Sequence, residues 1–210
     1  MKRYSKEGQD LFAFLLNNKK PGYFLDIGCR ARTRRGRESN TKLLEENGWH
    51  GLMFDINLNV SRENRKHLQR RNNKAIEVNC DSDEFNEILI KYVPKKVDYI
   101  SLDIDEASTS CLKRIIESNI KFKCATIENE HNHALYRSDE YRVKQRALLE
   151  PEGYKILFKD VCFRGKRRYY PFEDWWINPE DFNENVMNLY GEHDRWKDCL
   201  QKIIDNNSEM

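Results

Sequence analysis

Apolar residues along the chain fall into short runs separated by polar, charge-rich intervals. Runs with strand character are YFLDIG at 23–28, GLMFDI at 51–56, KAIEV at 74–78, VDYISLDI at 97–104 and KFKCATIE at 121–128. Two more strands are expected at Tyr154–Phe163 and Arg168–Phe172. Helical spacing fills the intervals. Phe85, Ile88, Leu89 and Tyr92 fall at i, i+3, i+4 and i+7, and Cys111, Leu112, Ile115 and Ile116 repeat the pattern more briefly. Between Asn59 and Arg71 only Val60 and Leu68 keep phase, which predicts a solvent-facing helix. Leu11–Leu16, following Ser5, reads as a short helix that Pro21-Gly22 ends. A last helical segment follows Pro179, with Phe182, Val186, Tyr190 and Trp196 roughly in phase and Gly191 as its break point. This alternation predicts an α/β fold, a doubly wound and mostly parallel sheet with helices on both faces.

Composition narrows the picture. The 210 residues suit one domain over 1–210, with an N-terminal helix inside 1–20 and a helical extension over 180–210. Hydrophobic residues make up 39%, enough for a sizeable core. Charged residues reach 34%, above the usual ~25%, yet 37 Lys and Arg against 35 Asp and Glu leave a net charge of only +2. That balance excludes a globally basic nucleic-acid coat or an acidic tail. The longest apolar run, Leu11–Leu16, falls far short of the ~20 residues that span a bilayer. MKRYSKEGQD has no apolar signal core, so a cytoplasmic protein without membrane insertion is expected. The six cysteines form no CxxC pair and are expected to be buried free thiols.

Sheets of this kind bind ligands outside the carboxyl ends of their strands. The first strand ends in Asp26-Ile27-Gly28-Cys29, where a glycine allows close approach of a ligand, although many buried strands end in a turn glycine. The second ends in Asp55-Ile56; an acid there is the usual partner of ribose hydroxyls, and it also suits a helix cap. The third ends in Asn79-Cys80-Asp81, the fourth in Asp103-Ile104-Asp105-Glu106 and the fifth in Glu128-Asn129-Glu130-His131-Asn132-His133. Carboxylates at the rim of a low-dielectric sheet repel one another. Five acidic strand ends in succession call for a cation, a hydroxyl-rich ligand, or both.

The runs KEGQDLFAFLL, YFLDIG, SNTKLLEENGWHGLMFD, VDYISLDIDEAS, FKCATIENEH, EGYKILFKDVCF and FEDWWINP occur in that order. Together they resemble the FkbM-type family of S-adenosylmethionine-dependent methyltransferases over roughly residues 5–180. The resemblance implies a Rossmann-like, seven-stranded methyltransferase sheet and S-adenosylmethionine as cofactor. It also implies methylation of a hydroxyl, with a carbohydrate as acceptor. By the same resemblance Asp26, Gly28 and Cys29 support the methionine part of the cofactor, and Ser39 and Asn40 of Ser39-Asn40-Thr41 line the cleft. Capping explains Ser39 equally well. Asp55 and Ile56 take the ribose, Cys80 and Asp81 lie near adenine, and Asp103 stands at the tip of the fourth strand. One departure stands out. Where the family has a short loop with glycine and acids, this chain has CRARTRRGRE, with Arg30, Arg32, Arg34, Arg35 and Arg37. Arg32, Arg34 and Arg35 either meet an anionic acceptor or form a solvated loop.

Methyl transfer from a sulfonium is an in-line displacement, so alignment is the main task. Removing the hydroxyl proton needs a base or a metal. Asp103, Glu128 and Asn129 offer hard oxygen ligands for Mg²⁺ or Mn²⁺. His131 is the first choice as base, since a histidine titrates at about 6.5; Asp105 is the second. Of Trp175 and Trp176, one is expected in the core and the other at the acceptor wall. Two alternatives stand beside this reading. A nucleic-acid acceptor held by Arg30–Arg37 is disfavoured by the near-neutral charge and by the lack of an amino-methylation motif. A non-catalytic partner with the same fold would not need the strand-end acids. Monomer and homo-oligomer both remain open.

Overall fold

The computed structural model describes residues 2–29, 38–58, 74–129, 140–164 and 169–208. The strands are β1 (Tyr23–Ile27), β2 (His50–Asp55), β3 (Lys74–Glu77), β4 (Lys96–Leu102), β5 (Lys121–Glu128), β6 (Lys155–Arg164), β7 (Tyr169–Ile177) and β8 (Gly191–Glu192). They form one sheet in the order β3-β2-β1-β4-β5-β7-β6-β8. The five strands from β3 to β5 are parallel. The seventh strand inserts antiparallel between β5 and β6, and β8 runs parallel to β6. The expected α/β sheet is present with eight strands in place of seven. The extra strand is the two-residue Gly191–Glu192, inside the segment read as helical. Gly191 allows it, because a side chain there would come within 2.8 Å of the Phe158 ring.

The helices are α1 (Gln9–Leu16), α2 (Lys42–Glu46), α3 (Asp83–Tyr92), α4 (Ser108–Glu117), α5 (Glu140–Leu149), α6 (Glu184–Met187) and α7 (Trp196–Ser208). The helix expected over 59–71 lies outside the described residues. Ser82 caps α3 by accepting from the Phe85 amide at 3.4 Å, and Phe85 and Leu89 form its buried face. The C-terminal segment is not one helix. A 3₁₀ turn at Pro179–Asp181, α6, β8 and α7 divide it.

Side chains alternate across the sheet, so neighbours in sequence enter different cores. Phe24, Tyr99 and Trp175 pack with Phe12 and Leu200 on the face of α1 and α7. Leu25, Ile100 and Trp176 pack with Phe85, Leu112 and Leu149 on the other face. This corrects the expectation for the tryptophans. Both indoles have 0% exposure, so neither walls an acceptor site. The strand carrying them extends beyond Phe172 because its acids find partners inside. Arg146 holds Asp174 with Nε at 2.8 Å and Nη2 at 2.9 Å. All six cysteines are free and buried. Among the described residues no helix is long and apolar enough to cross a membrane.

Candidate active site at the carboxyl edge of the sheet

Two clefts open at the carboxyl ends of the parallel strands and share Gly28, Asp103 and Asp105. Gly28 creates the junction. Its φ is +88°, and a Cβ there would lie 1.9 Å from the Asp103 carbonyl oxygen. Only glycine lets the end of β1 approach β4 this closely. The amides of Gly28 and Cys29 both donate to the Phe54 carbonyl, at 2.8 and 3.1 Å, and the Asp103 amide donates to Ile27 at 2.9 Å.

The first cleft, of about 280 Å³, is lined by Asp55, Ile56, Asn79, Cys80 and Ile104 beside the shared residues. Sequence reasoning had named Asp55, Ile56 and Cys80; Asn79 and Ile104 stand next to named residues. The Asp55 Oδ1 accepts from the Asn57 amide at 3.0 Å, which orients the carboxylate. Two aliphatic side chains, Ile56 and Ile104, offer this cleft an apolar lining. Asp81 does not line it. Arg114 reaches the Asp81 carboxylate at 3.7 Å and its backbone carbonyl at 2.9 Å.

The second cleft, of about 300 Å³, contains Asp26, Cys29, Asn40 and Glu128 from the expected set. Asp26 is buried, and its Oδ2 accepts from Thr41 Oγ1 at 2.6 Å. Burial pushes its carboxyl up to about 7; the Thr41 bond opposes this, while Glu45, Asp103 and Asp55 add to it. Asn40 donates to Ser101 Oγ at 2.9 Å, so Ser39-Asn40-Thr41 ties β1 and β4 together. Ser39 lines neither cleft. Its Oγ accepts from the Lys42 amide at 3.1 Å and the Thr41 amide at 3.3 Å, just ahead of α2.

The remaining walls of this cleft escaped the sequence reading. Lys6, Glu7 and Gln9 come from the chain before and at the start of α1, Glu38 from the approach to α2, and Phe163 and Phe172 from the β6–β7 hairpin. The two phenyl rings meet edge to face with centroids 5.4 Å apart, and the Lys6 ammonium sits 5.5 Å from the Phe163 ring. A signal existed, since Phe163 and Phe172 close the aromatic ends of two noted runs.

Asp105 projects where the clefts join. It is exposed and held at φ +52°, a left-handed conformation that few residues other than glycine adopt. His131, Arg32, Arg34 and Arg35 lie outside the described residues. Of the expected metal set, two residues reach the cleft. Asp103 and Glu128 line the cleft, but Asn129 is 1% exposed and does not, and among the described residues neither of its amide atoms has a hydrogen-bond partner. Among the described residues, the one group of three acids or histidines within 4.8 Å of one another is Asp160, Glu192 and His193. There the carboxylates are already neutralised, Asp160 by Arg142 and Arg146 and Glu192 by Lys159.

No protein-family model matches the sequence, and no curated protein matches it. Solved structures do match the fold. The O-methyltransferase of Bacillus cereus, solved in complex with SAH, superposes with a TM-score of 0.55 at 14% identity, over 83% of this chain and 82% of that one. The N-methyltransferase NodS of Bradyrhizobium japonicum gives 0.54 at 10% identity, over 83% and 96%. The chain therefore has the fold of these methyltransferases.

Proposed function

We propose that the protein is an S-adenosylmethionine-dependent O-methyltransferase of the FkbM type, acting on a carbohydrate hydroxyl in the cytoplasm. The observation that carries this reading is the meeting of two clefts at Gly28, Asp103 and Asp105. Gly28 lines both clefts, and its lack of a side chain lets β1 close on β4 where they meet. Asp55 accepts from ribose hydroxyls, while Ile56 and Ile104 flank the base with Asn79 and Cys80 at its edge. Asp26, Gly28 and Asn40 face the methionine portion. When bound, the cofactor supplies a methyl group on a positively charged sulfur, which suits a cleft rich in carboxylates.

The acceptor takes the outer part of the second cleft. Phe163 and Phe172 present apolar ring faces to the carbon face of a sugar. The base, His131 as first choice or Asp105 at the junction, receives the hydroxyl proton as the oxygen–carbon bond forms and the carbon–sulfur bond breaks, a contribution of roughly 10²–10⁴-fold. The test is incubation with candidate glycans and methyl-labelled cofactor, followed by mass spectrometry. Label is expected on a glycan hydroxyl, at an unchanged rate after exhaustive chelation. Transfer only to amines would overturn the O-methylation reading. A rate restored by Mg²⁺ or Mn²⁺ would return the metal to the mechanism.

A further inference from the structure

Glu173 belongs to none of the roles above, yet it is 3% exposed and bonded to Gln9, a wall of the second cleft. It pairs with Glu128 across the β5–β7 ladder, so both side chains leave the same face of the sheet. The charged groups bearing on it are Asp103 and Glu7, both acids. Burial first, and then these acids, raise its carboxyl from the ordinary 4.5 to about 8, and above that pH both oxygens are acceptors.

Both oxygens are used. Glu173 Oε1 accepts from Trp175 Nε1 at 2.7 Å, and Oε2 accepts from Gln9 Nε2 at 3.3 Å. The Gln9 Oε1 in turn accepts from the Glu7 amide at 3.1 Å. Hydrogen bonds thus run from the backbone of the N-terminal strap, through one amide side chain, to the floor of the sheet. Lys6, Glu7 and Gln9 of that strap wall the cleft. Its outer side is held separately, by close packing of Gly8 on Trp196 of α7.

We propose that Glu173 is a positioning residue that fixes the strap over the cleft through Gln9 and so sets how long a cofactor stays bound. The proposal rests on the reading of the cleft as a cofactor site. The polarity of the relay makes it testable. In Glu173→Gln an amide donor faces the Gln9 donor, and one bond is lost. Exchanging the two residues, Gln9→Glu with Glu173→Gln, restores every donor to an acceptor. The experiment uses the full chain at pH 9, where Glu173 is ionised, and S-adenosylhomocysteine as probe, with dissociation followed by stopped flow and deuterium uptake followed over residues 2–9.

Glu173→Gln is expected to release the probe about tenfold faster, the effect of one unmade buried hydrogen bond, and to raise uptake in the strap. Gln9→Ala should do the same, and it keeps the proposal testable if Glu173→Gln does not fold. The exchanged pair should return within about twofold of wild type, as a coupled pair does. Unchanged dissociation in Gln9→Ala, or no recovery in the exchanged pair, would overturn the proposal. A wild-type chain that does not bind the probe would overturn the cofactor reading instead, while strap uptake would still report on the relay.

Discussion

The two clefts that meet at Gly28 are assembled differently. The cofactor-side cleft is closed by the residues that follow β1, β2, β3 and β4, each placed by the apolar run just before it. The second cleft, read as holding the methionine end of the cofactor and the acceptor, draws on the strap before α1 and on the β6–β7 hairpin, which reach it from opposite ends of the chain. A parallel sheet arranges its strand ends along one rim, so local sequence locates the first cleft. The second depends on long-range pairing, above all on the insertion of β7 beside β5. A site can thus be half local and half topological.

Substitution at the junction should break both halves at once. Gly28→Ala puts a Cβ 1.9 Å from the Asp103 carbonyl in a left-handed conformation. We expect a loss of about 3 kcal/mol or more in stability, with cofactor binding abolished. Calorimetry that finds wild-type affinity would show that the clefts do not depend on this approach. Next in size, Asp55→Ala should weaken cofactor binding by the ~1.5–3 kcal/mol of a charge-assisted hydrogen bond and leave acceptor KM alone. Phe163→Ala should do the reverse, raising acceptor KM roughly tenfold for want of a stacking face. Equal shifts of both ligands in both variants would erase the division.

A separate effect concerns pH. In the folded chain Asp26 holds its proton up to about pH 7, because burial raises its carboxyl from the ordinary 3.8. The folded state thus binds a proton that the unfolded chain has released, and stability falls as pH rises through that interval, levelling off above it. Asp26→Asn removes this component. Thermal midpoints between pH 4 and 8 should decline less steeply in the variant. Parallel curves would mean that the carboxyl ionises normally in the fold.

The sequence was most informative where burial and periodicity agree. All five parallel strands lie within a residue or two of the expected bounds, and β5 matches at Lys121–Glu128. The expected strand Arg168–Phe172 stops short of β7, which continues through Glu173 and Asp174 to Ile177. They are interior residues, satisfied by Gln9, Trp175 and Arg146, partners far away in sequence or hidden by the alternation of the strand. For the same reason the double tryptophan looked like a binding surface. Adjacent residues of a strand buried on both faces enter two different cores, and periodicity alone does not show that both faces are covered. The in-phase residues after Pro179 fit one helix until Gly191, where the chain takes up a strand against β6 instead.

The position of β7 also bears on how the chain acquires its structure. During synthesis β1 to β5 emerge in an order that lets each parallel neighbour pair soon after it appears. The free edge of β5 has no mate until residues 169–177 leave the ribosome, since β6 is made earlier but lies one place further out. An apolar edge strand without its neighbour is a template for association with other chains. Helix α5 and the Arg146–Asp174 contact reach across this gap, so docking of the hairpin is the step that turns an adhesive nascent sheet into one whose edge is closed. Arrest of translation before Tyr169 should therefore leave a nascent chain that recruits chaperones.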